Sequence, residues 1–301
     1  MSDKFIVFHV EGGLGKNIAG TAVIKAIKEA HPDRKIIVTA SWPEVYLNNP
    51  NVKRVYRAGN TSYFYDSYIK DKDTIVYRKE PYFENDHIMR KTPLMVTWFN
   101  MYGFKYESKK HQPYLPMNMI QSSNITRWKR NKPTMLLHTN GGPFNKDSQP
   151  HAYAWTRDMP IHTAQSIVQE YKKDYHIFQL CRENSTLIPG TEVVNKPMTN
   201  YDLFSLLCSV NKRVLIDSCL QHAAAAYNLS STVLWIGTHP SMFGYDIHDN
   251  IAARTPSNIV KNVDAYLFDY DFNGIPHQCP YPDKTKIFDL EEIYESIDEN
   301  S

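Results

Sequence analysis

Asp217 and Ser218, with His222 close behind and Gly237-Thr238-His239 further on, gather a carboxylate, two hydroxyls and two imidazoles into one short segment. A carboxylate and a hydroxyl suit the hydroxyls of a sugar. The first backbone N–H groups of a helix starting just after Ser218 suit an anion, because they lack intrahelical partners and carry the positive end of the helix dipole. A sugar diphosphate presents both chemistries. Glycine at 237 permits close backbone approach, and Thr238 and His239 extend the polar surface.

Only certain elements place these residues side by side. Val214-Leu215-Ile216 is an apolar run suited to a buried parallel strand, Ala223 to Ala226 suit a helix packed tightly on a sheet, and Val233 to Ile236 form a second strand. The segment therefore reads as a βαβ unit with two polar strand ends, where open α/β sheets hold their ligands. Phe5 to Val10 forms an earlier strand, followed by Glu11-Gly12-Gly13-Leu14-Gly15-Lys16-Asn17 and a helix from about Ile18 to Ala30. That glycine loop is neither a complete GxGxxG fingerprint nor a P-loop, since no Ser or Thr follows Lys16.

Further strands are predicted at 35–40, 52–57 and 74–78, and a long helix over 85–104. A polar stretch from Ser122 to Lys132 precedes a strand at 134–138, a helix at 161–172, a strand at 176–181 and an acidic helix at about 289–297 that packs back across the domains. The alternation predicts α/β architecture with doubly wound parallel sheets, divided into domains at 1–130 and 131–301. With 301 residues, 42% of them apolar, the chain can build two cores. No apolar run is long enough for a membrane span and no secretory signal is recognised, so a soluble, cytoplasmic protein is expected. Cys181, Cys208, Cys219 and Cys279 lack metal-site spacing and are expected to be reduced thiols, without structural metal.

The net charge of +2 hides a division. Residues 1–130 carry 21 basic against 12 acidic side chains, whereas the remainder carries 13 against 20. The N-terminal half is thus expected to face a polyanion. Its Tyr63, Phe64, Tyr65 and Tyr68 are interleaved with Lys70, Lys72, Arg78 and Lys79, and Arg90 and Lys91 follow. Aromatic and cationic groups together suit stacked bases and phosphates, although aromatics also pack loops.

The order of elements, the early glycine loop and above all DSCLQHAAAAYNLSSTVLWIGTHP resemble the ADP-heptose:lipopolysaccharide heptosyltransferase family, including phage-encoded relatives with a comparable GGLGKN opening. The resemblance implies two Rossmann-like domains facing a cleft, the GT-B arrangement, with the acceptor on the first and a nucleotide sugar on the second. It makes Asp217 a partner of donor-sugar hydroxyls, Ser218 a diphosphate contact, His222 part of the same turn, and Gly237, Thr238 and His239 the donor-phosphate loop. The bland alternative for His222 is a half-buried histidine anchoring the helix. The family's base is an Asp directly after the last loop glycine, where this chain has Lys16. Glu11 is then the nearest carboxylate to act as base, with Lys16 binding phosphate, unless the two simply form a salt bridge.

Thr139, Asn140 and Gly141, after the strand at 134–138, are read as phosphate donors, and Arg157 or Lys146 as the cation facing the leaving diphosphate. Gly13, Gly15 and Asn17 of the glycine loop, with Tyr65, Arg78, Lys79, Arg90 and Lys91, are assigned to the acceptor. The resulting expectation is a metal-independent, inverting glycosyltransferase using a nucleotide-diphosphate sugar and no cofactor. The acceptor is an anionic one: a hydroxymethylated base in phage-type DNA is slightly favoured, since aromatics accompany the basic residues, over a lipopolysaccharide core or another phosphorylated glycan. A non-catalytic nucleotide-sugar-binding protein is the alternative from a different class.

Overall fold

The near-continuous apolar runs become the central strands of two parallel sheets. The computed structural model describes residues 3–116, 122–141, 154–254, 281 and 283–300. It divides into Met1–Met117 with Ala225–Tyr227, and Asn118–Ala224 with Asn228–Ser301.

In the first unit, β1 (Lys4–Val10), β2 (Lys35–Ala40), β3 (Val52–Arg57) and β4 (Asp73–Tyr77) lie in the order β3-β2-β1-β4, all parallel. β1 and β2 are buried along nearly their whole length, which is why they read as unbroken apolar runs. α1 (Leu14–Ala30) buries Ile18, Ala19, Ala22 and Val23. It starts four residues earlier than expected, with Gly13 as its N-cap residue. After α2 (Phe64–Tyr68) and a 3-10 turn at Pro81–Phe83, the long helix expected over 85–104 is broken into α3 (Asn85–Ile88) and α4 (Leu94–Met101). Left-handed backbone at Arg90 (φ 55°) and the missing N–H of Pro93 interrupt it.

The second unit contains α5 (Ser122–Arg127), β5 (Thr134–His138), α6 (Ile161–Tyr171), β6 (His176–Leu180), β7 (Thr191–Val194), α7 (Asn200–Ser209), β8 (Lys212–Ile216), α8 (Cys219–Ala226), β9 (Thr232–Trp235), α9 (Pro240–Phe243), β10 (Asp249–Ala252) and a last helix, Leu290–Glu299. The change of unit falls between residues 117 and 118, ahead of the 130/131 expected from composition, and α5 packs against α7. The six strands are parallel in the order β10-β9-β8-β5-β6-β7, the doubly wound order read from its far edge. The order reverses between β5 and β8, as it does between β1 and β4 in the first unit. At such a reversal the following loops diverge and leave a crevice beyond the strand ends.

The core of the second unit joins Leu137, Val214, Ile216 and Leu234 of the sheet to Ile167 and Val168 of α6 and to Ile293 and Ile297 of the last helix. That helix packs on α6, β8, β9 and β10 of its own unit. Cys181, Cys208 and Cys219 are free thiols, and Cys279 lies outside the described residues. No described helix is long and apolar enough to cross a membrane.

Candidate functional site

β5 and β8 end beside one another, and the residues after them interlock. Ser218 and His138 are joined by a hydrogen bond of 3.2 Å, while the other ring nitrogen of His138 lies 2.9 Å from the carbonyl oxygen of Asn140. A carbonyl only accepts, so Nε2 carries the proton. Burial pushes the His138 pKa down to about 4, so the ring is neutral and Nδ1 accepts from the Ser218 hydroxyl. The same hydroxyl accepts the Leu220 N–H of α8 at 3.2 Å. Ser218 thus ties the start of α8 to the end of β5, and its proton is already committed.

Asp217 is buried and lies 3.8 Å from the Arg157 guanidinium, which is one-third exposed. The expected carboxylate and cation of the donor site are therefore neighbours. The neighbouring Asp158 takes hydrogen bonds from the Asn140 amide at 3.1 Å and the Gly141 N–H at 3.2 Å, and it pairs with Arg182. Burial pushes the Asp158 carboxyl up, against the lowering effect of Arg182. Two donors read as phosphate ligands, those of Asn140 and Gly141, thus hold an internal carboxylate. Thr139 is buried, its hydroxyl donating to Asn140 Oδ1 at 3.0 Å.

At the end of β9 the three loop residues divide. The Gly237 N–H donates to the Thr156 carbonyl at 2.7 Å, and a Cβ at 237 would stand 2.5 Å from the Thr156 Cβ. Glycine is required there by Thr156 rather than by a ligand. The Thr238 hydroxyl is buried and meets no hydrogen-bond partner among the described residues. His239 is exposed, and its Nδ1 accepts the Ser241 N–H at 3.2 Å, capping α9. His222 takes the structural role: it is buried, 2.8 Å from the Tyr245 hydroxyl, with a pKa pushed down to about 3 by burial and by the charges of His248 and Arg157.

In the first unit the glycine loop leaves β1 with its backbone anchored. The Ser41 N–H donates to the Val10 carbonyl, the Gly12 N–H to Ser41 Oγ at 3.2 Å, and the Trp42 indole to the Gly12 carbonyl at 3.1 Å. Gly12 has φ of 102°, a conformation that other residues rarely adopt. Asn17 is fully buried, and its amide donates to the Gly13 carbonyl at 2.9 Å, so it shapes the loop instead of facing an acceptor. Lys16 does not pair with Glu11. Its side chain is 9% exposed, forms an ion pair with Glu80, and lies 5.6 Å from the Tyr82 ring centroid and 5.9 Å from that of Trp98. Glu11 is exposed and hydrogen-bonded to His9.

Among the remaining expected acceptor residues, Gly15 lies within α1. Arg78, Lys79 and Lys91 are exposed; Lys79 donates to the Met101 carbonyl at 3.1 Å, and Lys91 is 4.0 Å from Asp86. Arg90 is partly buried. Tyr65 lies on α2, a separate element, and is 63% exposed. Phe64 and Tyr68 instead pack with Phe5 and Tyr56 on the sheet. Sequence reasoning missed His9, Thr39, Glu80, Asp158 and Arg182 as parts of these networks. Arg182 follows β6, and only the pairing of β6 with β5 reveals it as a neighbour of Asp158. Lys146 lies outside the described residues. Among those described, no group of three or more His, Cys, Asp or Glu is arranged to hold a metal.

No protein-family model matches the chain, and no curated protein matches its sequence. Its fold is similar to that of ADP-heptose LPS heptosyltransferase II of E. coli, with a TM-score of 0.64 and 12% identity, covering 97% of this chain and 98% of that one. The fold is that of the heptosyltransferases. A family 9 glycosyl transferase from Veillonella parvula matches with a TM-score of 0.61 and 12% identity over 98% of this chain and 96% of its own. TibC of enterotoxigenic E. coli, an iron-containing dodecameric heptosyltransferase solved with ADP-D-beta-D-heptose, matches at 0.66 and 13% over 99% of this chain and 77% of its own. The α/β architecture expected from the alternation of elements, and its GT-B likeness, are thus borne out.

Proposed function

We propose that this chain is an inverting, metal-independent glycosyltransferase that moves a sugar from a nucleotide-diphosphate donor to a hydroxyl of an anionic acceptor. The observation that carries this reading is the pairing of Asp217 and Arg157 at a strand-order reversal, in a fold that matches heptosyltransferases over nearly the whole chain. The Thr238 hydroxyl, buried and without a hydrogen-bond partner among the described residues, supports it further. Asp217 accepts hydrogen bonds from sugar hydroxyls, while Arg157, Thr238 and the first N–H groups of α8 stabilise the departing diphosphate. Glu11 removes the proton from the acceptor hydroxyl, whose oxygen attacks the anomeric carbon as the bond to the diphosphate breaks. One displacement inverts the configuration.

One reading of the acceptor is a lipopolysaccharide core or another phosphorylated saccharide, in line with the name of one fold neighbour, an ADP-heptose LPS heptosyltransferase. A hydroxymethylated DNA base is kept as the second reading, because Tyr63 and Tyr65 are 84% and 63% exposed in the basic half of the chain. Mass spectrometry of products from a panel of nucleotide sugars, offered with phosphorylated lipopolysaccharide core or hydroxymethylated DNA, tests both. Transfer is expected in one arm, to persist with EDTA, and to fall by ~10²- to 10⁴-fold in Glu11→Gln. Nucleotide-sugar binding without transfer in either arm identifies a binding protein; unchanged turnover in both Glu11→Gln and Asp217→Ala refutes the site.

A further inference from the structure

We propose that His9 is the positioning residue for Glu11, holding one carboxylate oxygen so that the other is presented to the acceptor; this rests on the transfer reaction proposed above. The arrangement follows from the strand. His9 is the last-but-one residue of β1 and Glu11 is the first residue after it, and the two side chains meet where the strand ends. In the parallel register His9 stands beside Thr39 of β2. The imidazole is accordingly held at both ends, with Nδ1 2.6 Å from Thr39 Oγ1 and Nε2 3.1 Å from Glu11 Oε1.

The chemistry of the partners fixes the direction of these bonds. An ionised carboxylate only accepts, so Nε2 carries a proton and donates it to Oε1. In the neutral ring Nδ1 then accepts from the Thr39 hydroxyl. Both nitrogens are therefore engaged, and neither is open to take a proton from a substrate. Glu11 is different. Its side chain is 63% exposed against 21% for His9, and no other hydrogen bond or ion pair reaches it among the described residues. Lys16, the nearest cation in sequence, is bound to Glu80 and leaves the carboxylate un-neutralised. The anchored backbone on either side of Glu11 completes the restraint.

The pairing and its use in catalysis are separately testable on the full chain. Long-range ¹H–¹⁵N correlation on histidine-labelled protein, with His9 assigned by its loss in His9→Gln, is expected to show the Nε2–H tautomer and a change in the ring signals in Glu11→Ala. A dominant Nδ1–H tautomer, or a spectrum indifferent to Glu11→Ala, overturns the pairing whatever the protein turns over. For catalysis, ADP-heptose is the donor probe. His9→Phe is expected to lower kcat by ~10- to 100-fold with KM nearly unchanged, and His9→Gln, which keeps an N–H donor, to recover about tenfold of that loss. Thr39→Val is expected to fall between them, with melting curves confirming that each variant folds. If His9→Gln is as inactive as Glu11→Gln, His9 takes the proton itself and the positioning role is wrong. If the wild type turns over no nucleotide sugar while the Nε2–H tautomer is present, the transfer reading fails and the pairing alone survives.

Discussion

Lys16 stands where the heptosyltransferase resemblance anticipates an acid, and it is tied to a carboxylate sixty-four residues away in sequence. An ammonium so little exposed is costly without its partner, so Glu80→Ala is expected to destabilise the first unit by about 3 kcal/mol. Replacing the pair together, as Lys16→Met with Glu80→Leu, is expected to recover most of that loss in denaturant titrations. A stability change confined to the single variant is the signature sought; equal losses in single and double variants refute the pairing. The types of these residues were visible in the sequence, but their partners were not. Glu11 and Lys16 lie close together in sequence and suggested a mutual bridge, whereas the fold gives each a different partner. His9 and Thr39 meet only through the β1–β2 register, and Asn140 and Gly141 are claimed by an aspartate that spacing alone did not single out.

Elements with strong apolar periodicity were legible, and interruptions were not. β1, β2, β5 and α6 lie within a residue or so of where the pattern puts them, since burial on the sheet dictates both. The helix expected over 85–104 failed because its apolar residues satisfy the period while Arg90 and Pro93 deny the backbone. β7, α7 and β10 were not foreseen; the two strands are short, at four residues each, and only partly buried. Gly237 shows a constraint of another kind, between the turn at 154–156 and the end of β9. Gly237→Ala is expected to force these apart and cost about 1–3 kcal/mol, read as a lowered melting temperature. Ligand binding by a fully folded Gly237→Ala at wild-type stability would show that the close approach is dispensable.

At the scale of the whole molecule, the strongest sensitivity to acid lies in the second unit. Burial depresses His138 and His248 to about 4 and His222 to about 3. Each folded value lies below the unfolded value of about 6.5, so as pH falls the unfolded chain binds protons first and stability is lost. The loss is expected to begin below about pH 6.5 and to continue to about pH 4 for His138 and His248 and about pH 3 for His222, at about 1 kcal/mol per pH unit for each histidine. Thermal melts across that range are expected to show it, with a shallower slope in His222→Gln; a flat profile would contradict the burial of these rings. The last helix bears on a different question, that of synthesis. Its Ser296 hydroxyl meets Thr232 of β9 at 2.7 Å, its Asn300 amide donates to Asp249 of β10 at 2.7 Å, and Tyr171 of α6 donates to Asp298 at 2.9 Å. While the chain emerges from the ribosome, all six strands of the second sheet are made before the segment that seals them. Until residues 290–300 are made, the nascent sheet lacks the cover that this helix gives to β8, β9 and β10.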